Sequence, residues 1–208
     1  MKPARFLFIT GTDTGVGKTV FAALATILLR QNGRRAVALK PVCSGGRDDA
    51  RQLHAAAGKV LPLDEVNPWH FRAALAPVLA ARKEKKRVRL RQVVAHIRRA
   101  AKQFEVVIIE GAGGLLSPLG EDFDSRDLIL ALNAAPIIVC PNRLGAVNQV
   151  RLVLAALPPA TARQARVVLV NPEKPDAATR SNPGLLREFV EPERLLVIPW
   201  LGSKRRRR

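Results

Sequence analysis

Short runs of consecutive aliphatic residues alternate along this chain with longer stretches in which apolar residues return every three or four positions. The runs at 6–10, 36–40, 106–110, 136–140, 166–171 and 195–198 are brief and are bounded by Gly, Pro, Asn or charged residues. Such runs predict strands buried on both faces, as in a parallel sheet. Between them, 18–32 sets Phe21, Leu24, Ile27 and Leu28 on one helical face and stops before Gly33. Leu90, Val93, Val94, Ile97, Ala101 and Phe104 draw a second apolar stripe, and 145–157 gives a third helix. Pro158-Pro159 and the stretch 171–183 read as proline-punctuated loops. Strand, helix, strand in repetition predicts an α/β fold with a parallel-rich sheet and helices on both faces, whose ligand sites lie beyond the C-terminal strand ends.

Composition narrows the picture. The 208 residues, 48% hydrophobic and 25% charged, predict one globular domain over 1–202 with a basic, unpacked tail at 203–208. Aromatics are 4% with no tyrosine, which removes base-stacking platforms from the leading ideas. The net charge of +18 is local: residues 82–102 hold ten basic side chains against the single acid Glu84, and 204–208 are all basic. That balance favours nucleic acid, anionic membrane or phosphate-rich ligands, or is simply a solvated face and a frayed end. Cys43 and Cys140 form no CxxC pair and read as reduced thiols. The first apolar run is too short for a signal-peptide core, and the longest, 128–140, is broken by Asn133 and Pro136, so the expected location is the cytoplasm without a membrane span. His54, His70 and His96 have no ligand spacing.

The first strand runs into Gly11-Thr12-Asp13-Thr14-Gly15-Val16-Gly17-Lys18-Thr19 and then into a helix. The pattern GxxxxGK[ST] misses by one place, since Thr12 stands where the first glycine belongs and Gly11 comes one residue early. The context is still that of a phosphate cradle: backbone N–H groups curl round the anion, Lys18 adds a charge, and the Thr19 hydroxyl can ligate Mg²⁺. Lys40 ends the second strand, either facing the same crevice or marking where the strand meets water. Asp48 and Asp49 follow at a helix start, as N-cap or as metal ligands. Glu110 ends another apolar run before Gly111-Ala112-Gly113-Gly114, and with Thr19 and Asp49 makes a hard-oxygen set suited to Mg²⁺; a structural ion pair is the alternative.

Taken together, the phosphate loop, Lys40-Pro41-Val42-Cys43-Ser44-Gly45, Val66-Asn67-Pro68, Glu110 to Gly114, Asn142 to Asn148, Asn171 and Ile198-Pro199-Trp200-Leu201 resemble, in order, the motifs of the dethiobiotin synthetase family, across 6–201. The resemblance implies a P-loop NTPase-type fold and an ATP- and Mg²⁺-dependent ligase that makes dethiobiotin from 7,8-diaminononanoate and CO2. It implies that Lys18 and Lys40 hold the transferred phosphate and that Thr19, Asp49 and Glu110 hold Mg²⁺. Gly15, Val16, Gly17, Val20, Gly111, Ala112 and Gly113 would bind the nucleotide, and Asn171, Pro199, Trp200 and Leu201 would frame adenine. Ser44, Gly113 and Gly114 would meet the substrate, while Gly145 and Asn148 would reach its carboxylate tail from the neighbouring subunit of a homodimer. The loop from Ser44 is short, so the metal-binding acid is Asp48 or Asp49, and Pro172 follows Asn171 where relatives commonly carry an acid. The competing expectation is a nucleotide-switched partition-type ATPase that binds DNA through its basic surface. Against it, the signature lysine two residues before Gly15 is absent, Asp13 standing there, and nucleic-acid binding is expected to be weak and non-specific at most.

Overall fold

A computed structural model describes residues 4–200. In chain order the elements are β1 (Arg5–Gly11), α1 (Lys18–Gln31), β2 (Ala36–Leu39), β3 (Val42–Ser44), α2 (Asp48–Ala56), α3 (Leu63–Val66), β4 (Trp69–Phe71), α4 (Pro77–Lys83), α5 (Leu90–Ala101), β5 (Val106–Glu110), α6 (Ser125–Leu132), β6 (Ala135–Pro141), α7 (Ala146–Ala155), α8 (Pro159–Gln164), β7 (Arg166–Val170), α9 (Ala177–Leu186) and β8 (Leu195–Ile198). Leu201 and the basic segment 204–208 lie outside the described residues.

The six predicted strands pair in the order β2-β5-β1-β6-β7-β8, all parallel. Side chains alternate across this sheet. Phe8, Val37, Leu39, Val107, Ile109 and Ile138 join the cluster that includes Val93 and Ile97 of α5 and Leu128 and Ile129 of α6. Ile9, Ala38, Ile108, Val139 and Val168 join the cluster that includes Ala22 of α1. Burial on both faces explains why the inner strands read as unbroken aliphatic runs, whereas the edge strand β8 is only partly buried; each fully buried large side chain contributes about 1.5–3 kcal/mol.

Three expectations change. The α1 stripe does not face the sheet as a unit: Phe21 packs against the core, but Leu24, Ile27 and Leu28 are 45%, 38% and 61% exposed. Small residues, Ala22 and Thr26, meet the sheet instead, and the Thr26 hydroxyl donates to the Ala22 carbonyl at 2.7 Å, so its burial leaves no unpaired group. Periodicity does not say which of two apolar arcs is inward, and the arc of small side chains allows the closer approach. Secondly, 171–183 is not a loop throughout, because α9 begins at 177 and carries Pro183 inside it. Asp176 caps it, its Oδ1 accepting from the Thr179 N–H at 2.8 Å. The Thr179 carbonyl, which a residue with an N–H at 183 would engage, accepts from Asn142 Nδ2 at 2.8 Å, so the proline strands no buried acceptor. Thirdly, Pro158 and Pro159 start α8, with Pro159 in the first turn, where its missing N–H costs nothing.

A second, two-stranded parallel sheet, β3 with β4, escaped the sequence pattern because three-residue strands carry no measurable period. It fastens the segment after β2. Asn67, fully buried, donates from Nδ2 to the Lys40 carbonyl at 2.6 Å and accepts on Oδ1 from Arg47 at 3.1 Å and from the Cys43 thiol at 3.3 Å. The motif asparagine thus fixes the backbone on both sides of β3.

Candidate active site

The pairing register aligns Ile9 with Glu110 and Leu39 with Ile109, so the phosphate loop, Lys40 and Glu110 leave the sheet at one edge. There they border a cleft of about 810 Å³. Its lining includes Gly15, Gly17, Lys18, Thr19, Val20, Lys40, Ser44, Asp49, Glu110, Ala112 and Gly113. It also includes Thr14 of the phosphate loop, together with Cys43, Gln52, the stretch 74–77, Ser117 and Pro118, to which the sequence attached no role in the site. Cys43 lies inside a recognised motif and could have been included; residues 74–77 carry no signal of their own.

The loop turns through left-handed backbone at Gly15 (φ 73°) and Gly17 (φ 99°), a conformation that a Cβ would strain. α1 begins directly after Gly17 with no side-chain cap and no acid in its first turn, so its opening N–H groups have no anionic competitor for a phosphate. Lys18 is 6% exposed, and its Nζ donates to the Asp13 carbonyl at 2.7 Å. Burial first, then the charge of Lys40, lower its pKa to about 8.

Lys40 does not mark a strand end in water: it is 3% exposed. Its Nζ lies 2.6 Å from Glu110 Oε1, 3.0 Å from Asp49 Oδ2 and 3.0 Å from the Gly111 carbonyl. Burial pulls its pKa down, but the carboxylates of Glu110 and Asp49 outweigh that and raise it. For Asp49 burial pushes upward, and the Lys40 charge and hydrogen bond overcome it, holding the carboxyl below the ordinary range. Thr19 Oγ1 donates to Glu110 Oε1 at 2.8 Å. Of the two aspartates, 49 faces this group, whereas Asp48 pairs with Arg51 at 2.8 Å on the surface. Neither caps α2, whose N-cap is Arg47.

Two carboxylates and a hydroxyl make an all-oxygen donor set, and Glu110 Oε2 is buried without a hydrogen-bond partner. These residues fit a hard divalent cation such as Mg²⁺. No cluster of three or more His, Cys, Asp or Glu suited to a metal occurs among the described residues.

Not every predicted residue turns a free group into the cleft. Val16 is buried in the core beneath the loop. Gly111 is a packing position, where a Cβ would stand 2.7 Å from Ser125 Oγ and 3.1 Å from the Phe8 ring. Ser44 lines the cleft, but its hydroxyl donates to the Leu75 carbonyl at 2.5 Å. Gly114 donates its N–H to Ser117 Oγ at 2.9 Å. Asn171 follows β7 beside the phosphate loop, since the preceding Val170 comes within 3.7 Å of where a Gly17 Cβ would be. Trp200 is half exposed, and Pro199 precedes it after β8. Gly145 and Asn148 open α7 away from the cleft, and Asn148 borders a separate cavity of about 530 Å³ with Arg151, Leu152 and Phe189. His96 is structural: Nε2 contacts the Glu65 carbonyl at 2.7 Å and the ring stacks edge-on with Trp69.

Lys18 gives a pH signature. A phosphate at the loop favours its charged form, so above pH 8 binding of ATP must take up a proton. ATP affinity is therefore expected to hold below about pH 8 and to fall as pH rises past it. Calorimetry from pH 6.5 to 9.5 measures this, and an affinity rising with alkalinity would contradict it.

A family model described as an AAA domain matches residues 5–206. The ATP-dependent dethiobiotin synthetase BioD of Anaeromyxobacter dehalogenans strain 2CP-C is 39% identical over 202 residues, 94% of this chain and 90% of that protein. Its namesake from Anaeromyxobacter sp. strain Fw109-5 is 43% identical over 157 residues, 74% of this chain and 70% of that protein. That of Bacillus subtilis strain 168 is 34% identical over 204 residues, 95% and 86% respectively.

Proposed function

Since the chain belongs to the family of ATP-dependent dethiobiotin synthetases, we propose that it joins CO2 to the two amines of 7,8-diaminononanoate, consuming ATP to ADP and phosphate and releasing dethiobiotin. One amine takes up CO2 as a carbamate, the carbamate oxygen takes the γ-phosphoryl group, and the second amine closes the ureido ring as phosphate leaves. No bond to the protein is needed, so the chain's task is to position and to balance charge.

The carrying observation is a second buried lysine in a phosphate-loop cleft: Lys40 Nζ, 2.6 Å from Glu110 and 3.0 Å from Asp49. Lys18 and the N–H groups opening α1 hold the nucleotide's phosphates, and Lys40 faces the phosphoryl group in transfer. Thr19, Asp49 and Glu110 would hold Mg²⁺, which when bound draws charge from the phosphate oxygens. Gly113, Gly114 and Ser44 border the substrate side, and Asn171, Pro199 and Trp200 the adenine side. With ATP, Mg²⁺, the diamine and ¹³C-bicarbonate, mass spectrometry is expected to find dethiobiotin carrying one ¹³C, with one ADP formed per product. Unlabelled or absent product alongside steady ATP turnover would contradict the reading.

The reading includes a homodimer with shared sites. α7 starts after Gly145 with no side-chain cap and no first-turn acid, a suitable end for a carboxylate, yet lies off its own subunit's cleft. Around it Leu144 and Leu152 are 84% and 62% exposed. Light scattering is expected to give twice the 22.7 kDa chain mass, and Leu152→Asp to give monomers with activity lost in proportion; an active monomer would contradict shared sites. A cytoplasmic location accords with the free, buried thiols of Cys43 and Cys140. No helix among the described residues is long and apolar enough to cross a membrane. The exposed arginines of α5 suit weak, salt-sensitive polyanion contact and no more.

A further inference from the structure

Beyond β6 and β7, adjacent strands whose ends align Pro141 with Val170, stand Asn142 and Asn171. Asn142 is 1% exposed and belongs to a chain of hydrogen bonds whose direction is set at both ends by backbone carbonyls, which can only accept. At one end Asn182 Nδ2 donates to the Arg143 carbonyl at 2.9 Å and also to Asn142 Oδ1 at 2.9 Å. The oxygen of Asn142 therefore faces Asn182. At the other end Asn142 Nδ2 donates to the Thr179 carbonyl at 2.8 Å, the acceptor that Pro183 leaves free within α9. The same Nδ2 donates to Asn171 Oδ1 at 2.8 Å. The amide of Asn171 is thus oriented, with its oxygen inward and its NH2 group directed away from Asn142. Turning it over would set two NH2 groups against each other at a buried site, which costs about 1–3 kcal/mol.

We infer that Asn142, held by Asn182 and by the carbonyl that Pro183 frees, is a positioning residue that locks the Asn171 amide and so selects an amino-purine nucleotide over an oxo-purine one. The inference rests on the reading above that Asn171 meets the nucleobase. Both purines present the ring nitrogen N7 as an acceptor, and beside it adenine carries an amine and guanine a carbonyl. An amide whose NH2 meets N7 offers the exocyclic group the second lone pair of its oxygen, the first being taken by Asn142 Nδ2; an amine satisfies that lone pair and a carbonyl opposes it. A free asparagine turns over and loses that pairing with adenine part of the time, whereas guanine, with two acceptors on this edge, opposes the amide oxygen in either orientation, so the lock strengthens binding of the amino-purine alone. Discrimination therefore comes from residues that touch no ligand.

The test is calorimetric binding of ADP and of GDP to the full chain and to Asn142→Ala and Asn182→Ala, with folding checked by circular dichroism. The wild-type protein is expected to prefer ADP by at least about tenfold, or about 1.4 kcal/mol. Asn142→Ala is expected to reduce that ratio about tenfold through weaker ADP binding, with GDP affinity within about twofold. Asn182→Ala is expected to reduce it about threefold, because Asn142 keeps its donation to Thr179. A folded Asn142→Ala that retains the ratio, or that weakens both nucleotides equally, overturns the inference. Should that variant not fold, an unchanged ratio in Asn182→Ala overturns it. A wild-type protein that does not prefer ADP overturns instead the reading that Asn171 meets adenine.

Discussion

Lys40→Ala is expected to lower turnover by about 10³ or more, the scale on which removing one preorganised cation or donor from a charge-developing site acts. The lost ammonium faces both carboxylates and, in the proposed complex, the phosphoryl group in transfer, so its charge counts most as negative charge spreads over the leaving and attacking oxygens. The loss should fall on kcat more than on the KM for ATP, because Lys18 and the N–H groups of α1 remain to bind the nucleotide. A second effect accompanies it. Glu110 is 1% exposed, and without Lys40 its carboxylate loses the ion-pair partner at 2.6 Å. Breaking a buried pair on one side costs about 3–5 kcal/mol, so the melting temperature should also fall. Activity is therefore to be compared per folded molecule at a temperature where the variant is native by circular dichroism, and wild-type turnover under those conditions would contradict the assignment.

Glu110→Gln is expected to lower the rate by about 10² and to raise the half-saturating Mg²⁺ concentration by about tenfold. The substitution keeps the shape, removes one anionic oxygen from the donor set, and takes from Lys40 its nearer counter-charge at 2.6 Å. Asp49, half exposed and 3.0 Å from Lys40, remains as the lone acid. A Mg²⁺ titration of the initial rate measures both changes. An unshifted midpoint with a reduced rate would assign Glu110 to the ion pair alone.

The large features of the fold were legible because the strands inside the six-stranded sheet are buried on both faces and so read as aliphatic runs that no polar alternation interrupts, and even the partly exposed edge strand β8 is wholly aliphatic. The site was legible where chemistry demands rare neighbours: Lys18 and Thr19 after glycines, Lys40 and Glu110 at the ends of apolar runs. Orientation was less legible. Leu24, Ile27 and Leu28 have the spacing of a core face and lie outside it, because small residues took the inner arc. Pro183 signals a loop in any local reading, and only the distant Asn142, meeting the Thr179 carbonyl, makes it tolerable inside a helix. Likewise nothing around residues 48 and 49 says which carboxylate turns inward; that depends on where α2 packs relative to Lys40. The wall at 74–77 enters the cleft through tertiary placement and has no sequence mark.

In the proposed function this cleft couples ATP to a small diamine and not to a nucleic-acid partner. The most direct measurement is ADP release with Mg²⁺ present, compared without additions, with 7,8-diaminononanoate plus bicarbonate, and with duplex DNA at physiological ionic strength. Release is expected to be slow alone, strongly stimulated by the diamine with bicarbonate, and unchanged with DNA. Stimulation by DNA with indifference to the diamine would contradict that coupling.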